Sequence, residues 1–167
     1  MAVAFTREED HEAQAADVPD RPISSHPNLV TATGLRAIDA ALASARAVYA
    51  AARAGDDIRS NRTAMARATR ELRYWSARRA TARLTEPVPT PGLVQFGRIV
   101  HIVREDGREQ AYRIVGEDEA DPATGQISYV SPLSRALLGR TEGDVVPVAG
   151  ADVEILRVEP SRPQGGS

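Results

Sequence analysis

Residues 86–92 read Glu86-Pro87-Val88-Pro89-Thr90-Pro91-Gly92, with prolines at three of five consecutive positions. Proline has no N–H to donate and pushes the residue before it out of the helical region, so no helix runs through this segment. The hydrophobic pattern changes character across it. Apolar residues recur in threes and fours upstream and in short β-prone runs downstream. The stretch therefore reads as a linker between a helical part and a sheet-forming part, which makes the chain α+β.

Upstream, Leu35, Ile38, Leu42, Ala45, Tyr49 and Ala52 are spaced 3-4-3-4-3, one stripe of a helix packed on a partner. The residues between them are mostly alanine and arginine, which favour helix. Thr33 is the expected N-cap and Gly55 the expected C-cap. A second stripe of Ile58, Met65, Ala68, Leu72, Trp75 and Ala82 begins just after Asp56-Asp57. Two stripes on either side of a short polar turn predict an antiparallel helical hairpin, a coiled coil, over residues 31–85. At 1.5 Å per residue, a first arm of about 20 residues is about 30 Å long. Residues 1–30 carry Pro19, Pro22 and Pro27 and no periodic pattern. They read as a mobile acidic tail or an extended arm, with Ile23, Leu29 and Val30 as its apolar anchors.

Downstream, Val94 to Arg104 reads as a strand with a bulge or bend at Gly97. Asp106-Gly107 is a hairpin turn signal, and Glu109 to Val115 is the return strand. Asp121-Pro122 to Gly125 marks another turn, followed by a short strand from Ile127 to Val130. Ser131-Pro132 opens a short helix, as N-cap and first helical residue, that ends at Gly139. Val145 to Val148 and Val153 to Val158 complete a small antiparallel sheet domain over residues 93–158, and residues 159–167 form a flexible tail.

The composition is that of a folded chain: 167 residues, 42% hydrophobic and 26% charged, with no cysteine. That excludes a disulfide framework, a cysteine-ligated zinc and a cysteine nucleophile. No apolar run approaches the roughly 20 residues of a membrane helix, and the N-terminus lacks the apolar core of a signal peptide. The expectation is a cytoplasmic, soluble monomer. Charge is unevenly placed. Residues 1–26 hold six acids against two arginines, residues 27–85 eleven arginines against four acids, and residues 86–167 eight arginines against thirteen acids. A basic middle between acidic flanks suits an anionic partner for one segment, or a solvated helix face.

Phe96-Gly97, the run from Tyr112 to Asp121, Ile127-Ser128, the run from Ser131 to Gly139, and Gly143-Asp144 occur in that order. Together they resemble the C-terminal domain of the bacterial Gre transcript-cleavage and elongation factors. The likeness covers about residues 93–158, and about 33–158 once the preceding hairpin is included. It implies an FKBP-like α+β fold and a protein that is not itself an enzyme. Gre factors dock this domain at the secondary channel of bacterial RNA polymerase and reach down the channel with the hairpin. Acids at the tip then help hold a second Mg²⁺, so that the polymerase cleaves its own backtracked RNA. Carboxylates suit that work because Mg²⁺ takes hard oxygen ligands. The chain would have no cofactor of its own, only Mg²⁺ shared with the polymerase. The resemblance makes Asp56 and Asp57 the tip acids and puts Ser131 and Pro132 in the segment that docks on polymerase.

The tip departs from the family, which shows Gly-Asp, two variable residues, then Glu-Asn. Here the run is Gly55-Asp56-Asp57-Ile58-Arg59-Ser60-Asn61. Matching Asn61 puts Asp57 on the family's aspartate and Ser60 on its glutamate. Matching Gly55 puts Asp56 and Arg59 there instead. Either way the glutamate is absent, and the first arm is shorter than the family's. Two further readings stay open: a channel-occupying competitor that does not stimulate cleavage, and a protein-binding regulator of a metabolic enzyme.

Each candidate residue also has a plain structural reading. Asp56 and Asp57 suit the start of a helix by complementing its dipole. Arg59, Arg62, Arg70 and Arg73 could face nascent RNA, the solvent or an acidic protein surface. Trp75 is read as a seam residue. The acidic run Glu117, Asp118, Glu119 and Asp121 is read as turn-shaping rather than metal-binding, and Ser131 as a helix cap. His11, His26 and His101 are scattered and form no ligand set. Phe96, Tyr112 and Tyr129 offer too few aromatics for a prolyl isomerase pocket.

Overall fold

The computed structural model describes residues 19–160, with the side chains of residues 58–60 excepted. The acids expected in residues 1–18 and the tail expected from residue 161 onward lie outside the described residues. The described chain forms two compact units, one of residues 19–25 with 36–81 and one of residues 26–35 with 82–160.

The first unit is built on two helices, α1 (Ala32–Arg53) and α2 (Ile58–Thr81). Ile38, Leu42 and Ala45 of the predicted stripe on α1 are buried, as is Ala68 on α2. The ion pair from Arg79 Nε to Asp39 Oδ1, 2.6 Å, joins the late part of α2 to the early part of α1 and fixes the antiparallel sense. Residues 20 and 21 were expected in the acidic tail, yet they are tied to α2. Arg21 pairs with Glu71 at 2.9 Å, and its guanidinium lies 3.7 Å from the centroid of the Tyr74 ring. Asp20 pairs with Arg73 at 3.3 Å. Of the three apolar anchors suggested by the sequence, Ile23 is half exposed, Val30 is buried and Leu29 packs against the sheet core. At residue 21 a cation stacked on an aromatic face also holds the arm.

The second unit begins with β1 (Leu29–Val30), paired in parallel with β2 (Arg83–Leu84). Thr31 caps α1: its Oγ1 accepts the Gly34 N–H at 3.0 Å. The cap is therefore two residues before the expected Thr33. Gly55 is not a left-handed cap either, because its φ is not positive.

The main sheet contains β3 (Ile99–Arg104), β4 (Glu109–Val115), β5 (Gln126–Ser128), β6 (Val145–Val148) and β7 (Ala151–Val158) in the order β5-β4-β3-β7-β6. The short helix α3 (Pro132–Leu137) follows β5. The β4–β5 pair is parallel, so the sheet is mixed rather than wholly antiparallel as expected. The first sheet strand starts at Ile99, not Val94, because Gly97 turns the chain at a φ of 87°. The bulge lies further on, between His101 and Ile102 opposite β7. It lets Leu156 and Arg157 both face outward while Val158 returns to the core. That core comprises Val100, Ile102, Ile114, Ile127, Leu137, Val146, Val153 and Ile155, with Val94, Phe96 and Val158 closing it.

The Pro-rich segment expected as a linker is held down. Buried Arg98 donates from Nη1 to the Thr90 carbonyl and from Nη2 to the Val88 carbonyl, both at 2.7 Å.

Candidate functional site

The tip between α1 and α2 consists of Ala54, Gly55, Asp56 and Asp57, all exposed. α1 ends at Arg53, and Gly55 N–H reaches the Ala52 carbonyl at 3.4 Å. Asp57 stands just before the first residue of α2 and accepts the Asn61 N–H at 2.9 Å through its carbonyl. The carboxylates of Asp56 and Asp57 thus lie at the positive end of a 24-residue helix, where the dipole favours anions. Asn61 Nδ2 turns back to donate to the Gly55 carbonyl at 3.2 Å.

Two carboxylates supply hard oxygen donors suited to Mg²⁺. Among the described residues no three His, Asp or Glu side chains are grouped to hold a metal ion.

The four arginines expected to face an anion do not behave alike. Arg62 is exposed. Arg73 is exposed and paired with Asp20. Arg70 is half-buried, and its Nε is buried without a hydrogen-bond partner among the described residues. The Arg59 side chain lies outside the described residues. A groove of about 450 Å³ runs along the two helices, floored by Ala41, Ala45, Ala64 and Ala68, with Trp75 at one end and Val48 along one side. The alanine-rich seam explains it, because small side chains leave the space between two helices unfilled.

In the second unit, Ser131 caps α3 as expected: its Oγ accepts the Ser134 N–H at 3.2 Å, with Pro132 next in the chain and exposed. In the acidic run after β4, Glu119 and Asp121 have structural partners. Glu119 Oε2 accepts the Thr31 hydroxyl at 2.6 Å, so it supports the cap of α1. The Asp121 N–H and carbonyl close the turn to Gln126. Nothing local in the sequence signals the roles of Arg98 and Arg21 or the Thr31–Glu119 contact. Arginine and glutamate read as surface residues until a partner distant in the chain is known.

With this geometry in place, residues 89–160 match the family described as transcription elongation factor, GreA/GreB, C-term. Residues 89–160 thus form a domain of the GreA/GreB C-terminal type. The Gre-type region is 41% identical over 96 residues to transcription elongation factor GreB of Neisseria meningitidis, covering 54% of this chain and 59% of that protein. It is 49% identical over 72 residues to GreA of Alkalilimnicola ehrlichii, covering 41% of this chain and 46% of that protein. The chain thus spans about half the length of the curated relatives it matches. The crystal structure of GreA factor homolog 1 of Thermus thermophilus is 19% identical and covers 80% of this chain and 99% of its own, with a TM-score of 0.39. The α+β architecture expected from the sequence, a helical pair followed by a small sheet domain, is the one observed, with the sheet mixed. Among the described residues no helix is long and apolar enough to cross a membrane.

Proposed function

We propose that the protein is a cytoplasmic, monomeric, non-enzymatic regulator of bacterial RNA polymerase. In this reading the Gre-type domain docks at the secondary channel through the α3 start at Ser131 and Pro132. The helical pair enters the channel and modulates elongation or the cleavage of backtracked RNA. The observation that carries the reading is the GreA/GreB C-terminal domain match at residues 89–160, next to a helical pair with two exposed aspartates at its turn. Mg²⁺ bound between polymerase and tip would stabilise the attacking and leaving oxygens of the RNA phosphate. Asp56 and Asp57 would contribute carboxylate oxygens toward it, and Asn61 would hold their turn in shape through Gly55.

A second reading, a channel-occupying competitor, is favoured by one specific observation. The tip holds two carboxylates and no glutamate, and the Asn61 amide is engaged with the Gly55 carbonyl.

Transcript cleavage in a stalled, backtracked complex of bacterial RNA polymerase separates the two. Acceleration that disappears in an Asp56→Ala/Asp57→Ala chain supports a cleavage role. No acceleration while the protein is bound to the complex supports the competitor. Failure to bind polymerase in a pull-down removes both readings.

A further inference from the structure

On α2, Glu71 lies three residues before Tyr74 and four before Trp75, so helical spacing sets a carboxylate beside two aromatic rings. The rings meet edge to face, with centroids 5.0 Å apart and planes at 85°. A carboxylate next to an aromatic face suits a planar guanidinium, which donates in its plane and stacks on its face. Such a cation is in place. Arg21 Nη1 donates to Glu71 Oε2 at 2.9 Å, and the guanidinium lies 3.7 Å from the Tyr74 ring centroid and 5.5 Å from that of Trp75. Arg67 stands one turn from Glu71 on the same helix, the spacing that ordinarily pairs. Among the described residues, however, Glu71 forms its ion pair with Arg21, 50 residues away.

The seat is only partly used. Among the described residues Arg21 meets Glu71 through one N–H, although a guanidinium and a carboxylate can pair through two. The Arg21 side chain is 32% exposed and that of Glu71 45%. Beside them, the Asp20–Arg73 pair is exposed at 3.3 Å, and Ile23 is half exposed. Residues 20 and 21 therefore sit on α2 through surface contacts that a solute can reach, and such pairs hold weakly. Glu71 and Trp75 also line the alanine-floored groove, which leads from the seat toward Ala64.

We propose that Glu71, Tyr74 and Trp75 form an arginine-binding site that Arg21 fills in cis, and that an arginine of a partner protein takes its place. The incoming guanidinium pairs with Glu71 and stacks on Tyr74, and small apolar residues beside it in the partner lie in the groove. Arg21 leaves together with Asp20, which uncovers Arg73. The arm is thus a built-in competitor, present at the millimolar effective concentration of a short tether. This inference does not rest on polymerase binding, and its test contains no polymerase.

The test uses the full chain, with its single tryptophan, Trp75, as reporter and N-acetyl-arginine amide as probe. In an Arg21→Ala chain the probe should change Trp75 emission saturably, and the neutral isostere N-acetyl-citrulline amide should not. Adding Glu71→Gln should weaken the response by about tenfold, because the charge-assisted bond is lost. The unaltered chain should need roughly tenfold more probe, because Arg21 competes for the seat. In that chain the probe should also release the Arg21 side-chain protons from the upfield shift imposed by the Tyr74 ring, a readout that needs no substitution. No saturable response in the Arg21→Ala chain overturns the proposal, as does an equal response to the citrulline compound or one that Glu71→Gln leaves in place. Emission that saturates in the unaltered chain while the Arg21 protons stay shifted overturns it too, since the probe then binds elsewhere.

Discussion

Asn61 donates from its side-chain amide to the carbonyl oxygen of Gly55 across 3.2 Å, joining the first turn of α2 to the end of the segment that leaves α1. A β-carbon on Gly55 would lie 3.2 Å from Asn61 Oδ1, close enough to press on this contact. The tip that presents Asp56 and Asp57 is therefore shaped by a residue outside it. Asn61→Ala is expected to leave global stability nearly unchanged, because an exposed hydrogen bond contributes about 1 kcal/mol or less. It should speed amide exchange at residues 55–61. In the polymerase assay it should weaken any effect that depends on Asp56 and Asp57. Protection at those amides equal to that of the unaltered chain would show that the side-chain bond does not order the tip.

Arg98 ties the Pro-rich segment to the sheet domain. It is 3% exposed and donates to two carbonyls of the Pro-rich segment. Arg98→Met keeps most of the volume and strands both carbonyls, and about 2–4 kcal/mol of unfolding free energy should be lost. Arg98→Lys should recover only part, since one ammonium does not reproduce a planar fork. Urea unfolding of the three chains checks the order.

Gly116 allows a close approach rather than an unusual backbone angle: an added β-carbon would lie within bond-clash distance of the Leu29 carbonyl. Gly116→Ala should push β1 away at a cost of about 1–3 kcal/mol, typical of overpacking. Amide exchange reads it locally, because Arg83 N–H donates to Asn28 and Thr85 N–H to Val30. Those two amides should lose protection before the β3–β7 core does.

Asp106, in the β3–β4 turn, has its carboxyl held below the usual carboxylate range, first by the Arg108 backbone N–H and then by the Arg108 guanidinium. A carboxylate lowered in the folded state stabilises the turn above its unfolded pKa, and that contribution is lost as pH falls through the folded value. Arg108→Ala should raise the Asp106 midpoint only part of the way, because the larger cause is a main-chain N–H that the substitution keeps. Carbon-detected NMR titration of Asp106 follows it. Full return to the ordinary value would mean that the side chain, not the backbone, sets the shift.

Local rules made much of this molecule legible from its residues. The 3-4 stripe placed Ile38, Leu42 and Ala45 in the helical seam, and all three are buried. Asp106-Gly107 announced the β3–β4 hairpin, with Gly107 at a φ of 81°. Ser131-Pro132 announced the start of α3. Each depends on residues within a turn or two of one another, where backbone sterics, helical period and capping chemistry act alone.

Other features waited on the fold. Thr31 rather than Thr33 caps α1, supported by Glu119, 88 residues away. The parallel β4–β5 pair and the bulge opposite His101 came from sheet pairing. Arg98 became a clamp on Val88 and Thr90, and Arg21 a stack on Tyr74, only once packing brought a carbonyl or a ring to a side chain that is ordinarily solvated. Periodicity and turn chemistry are written in neighbouring residues, so the sequence by itself determined the elements and the family motifs. Which polar groups leave water for one another depends on segments distant in the chain, and only the tertiary structure decided that.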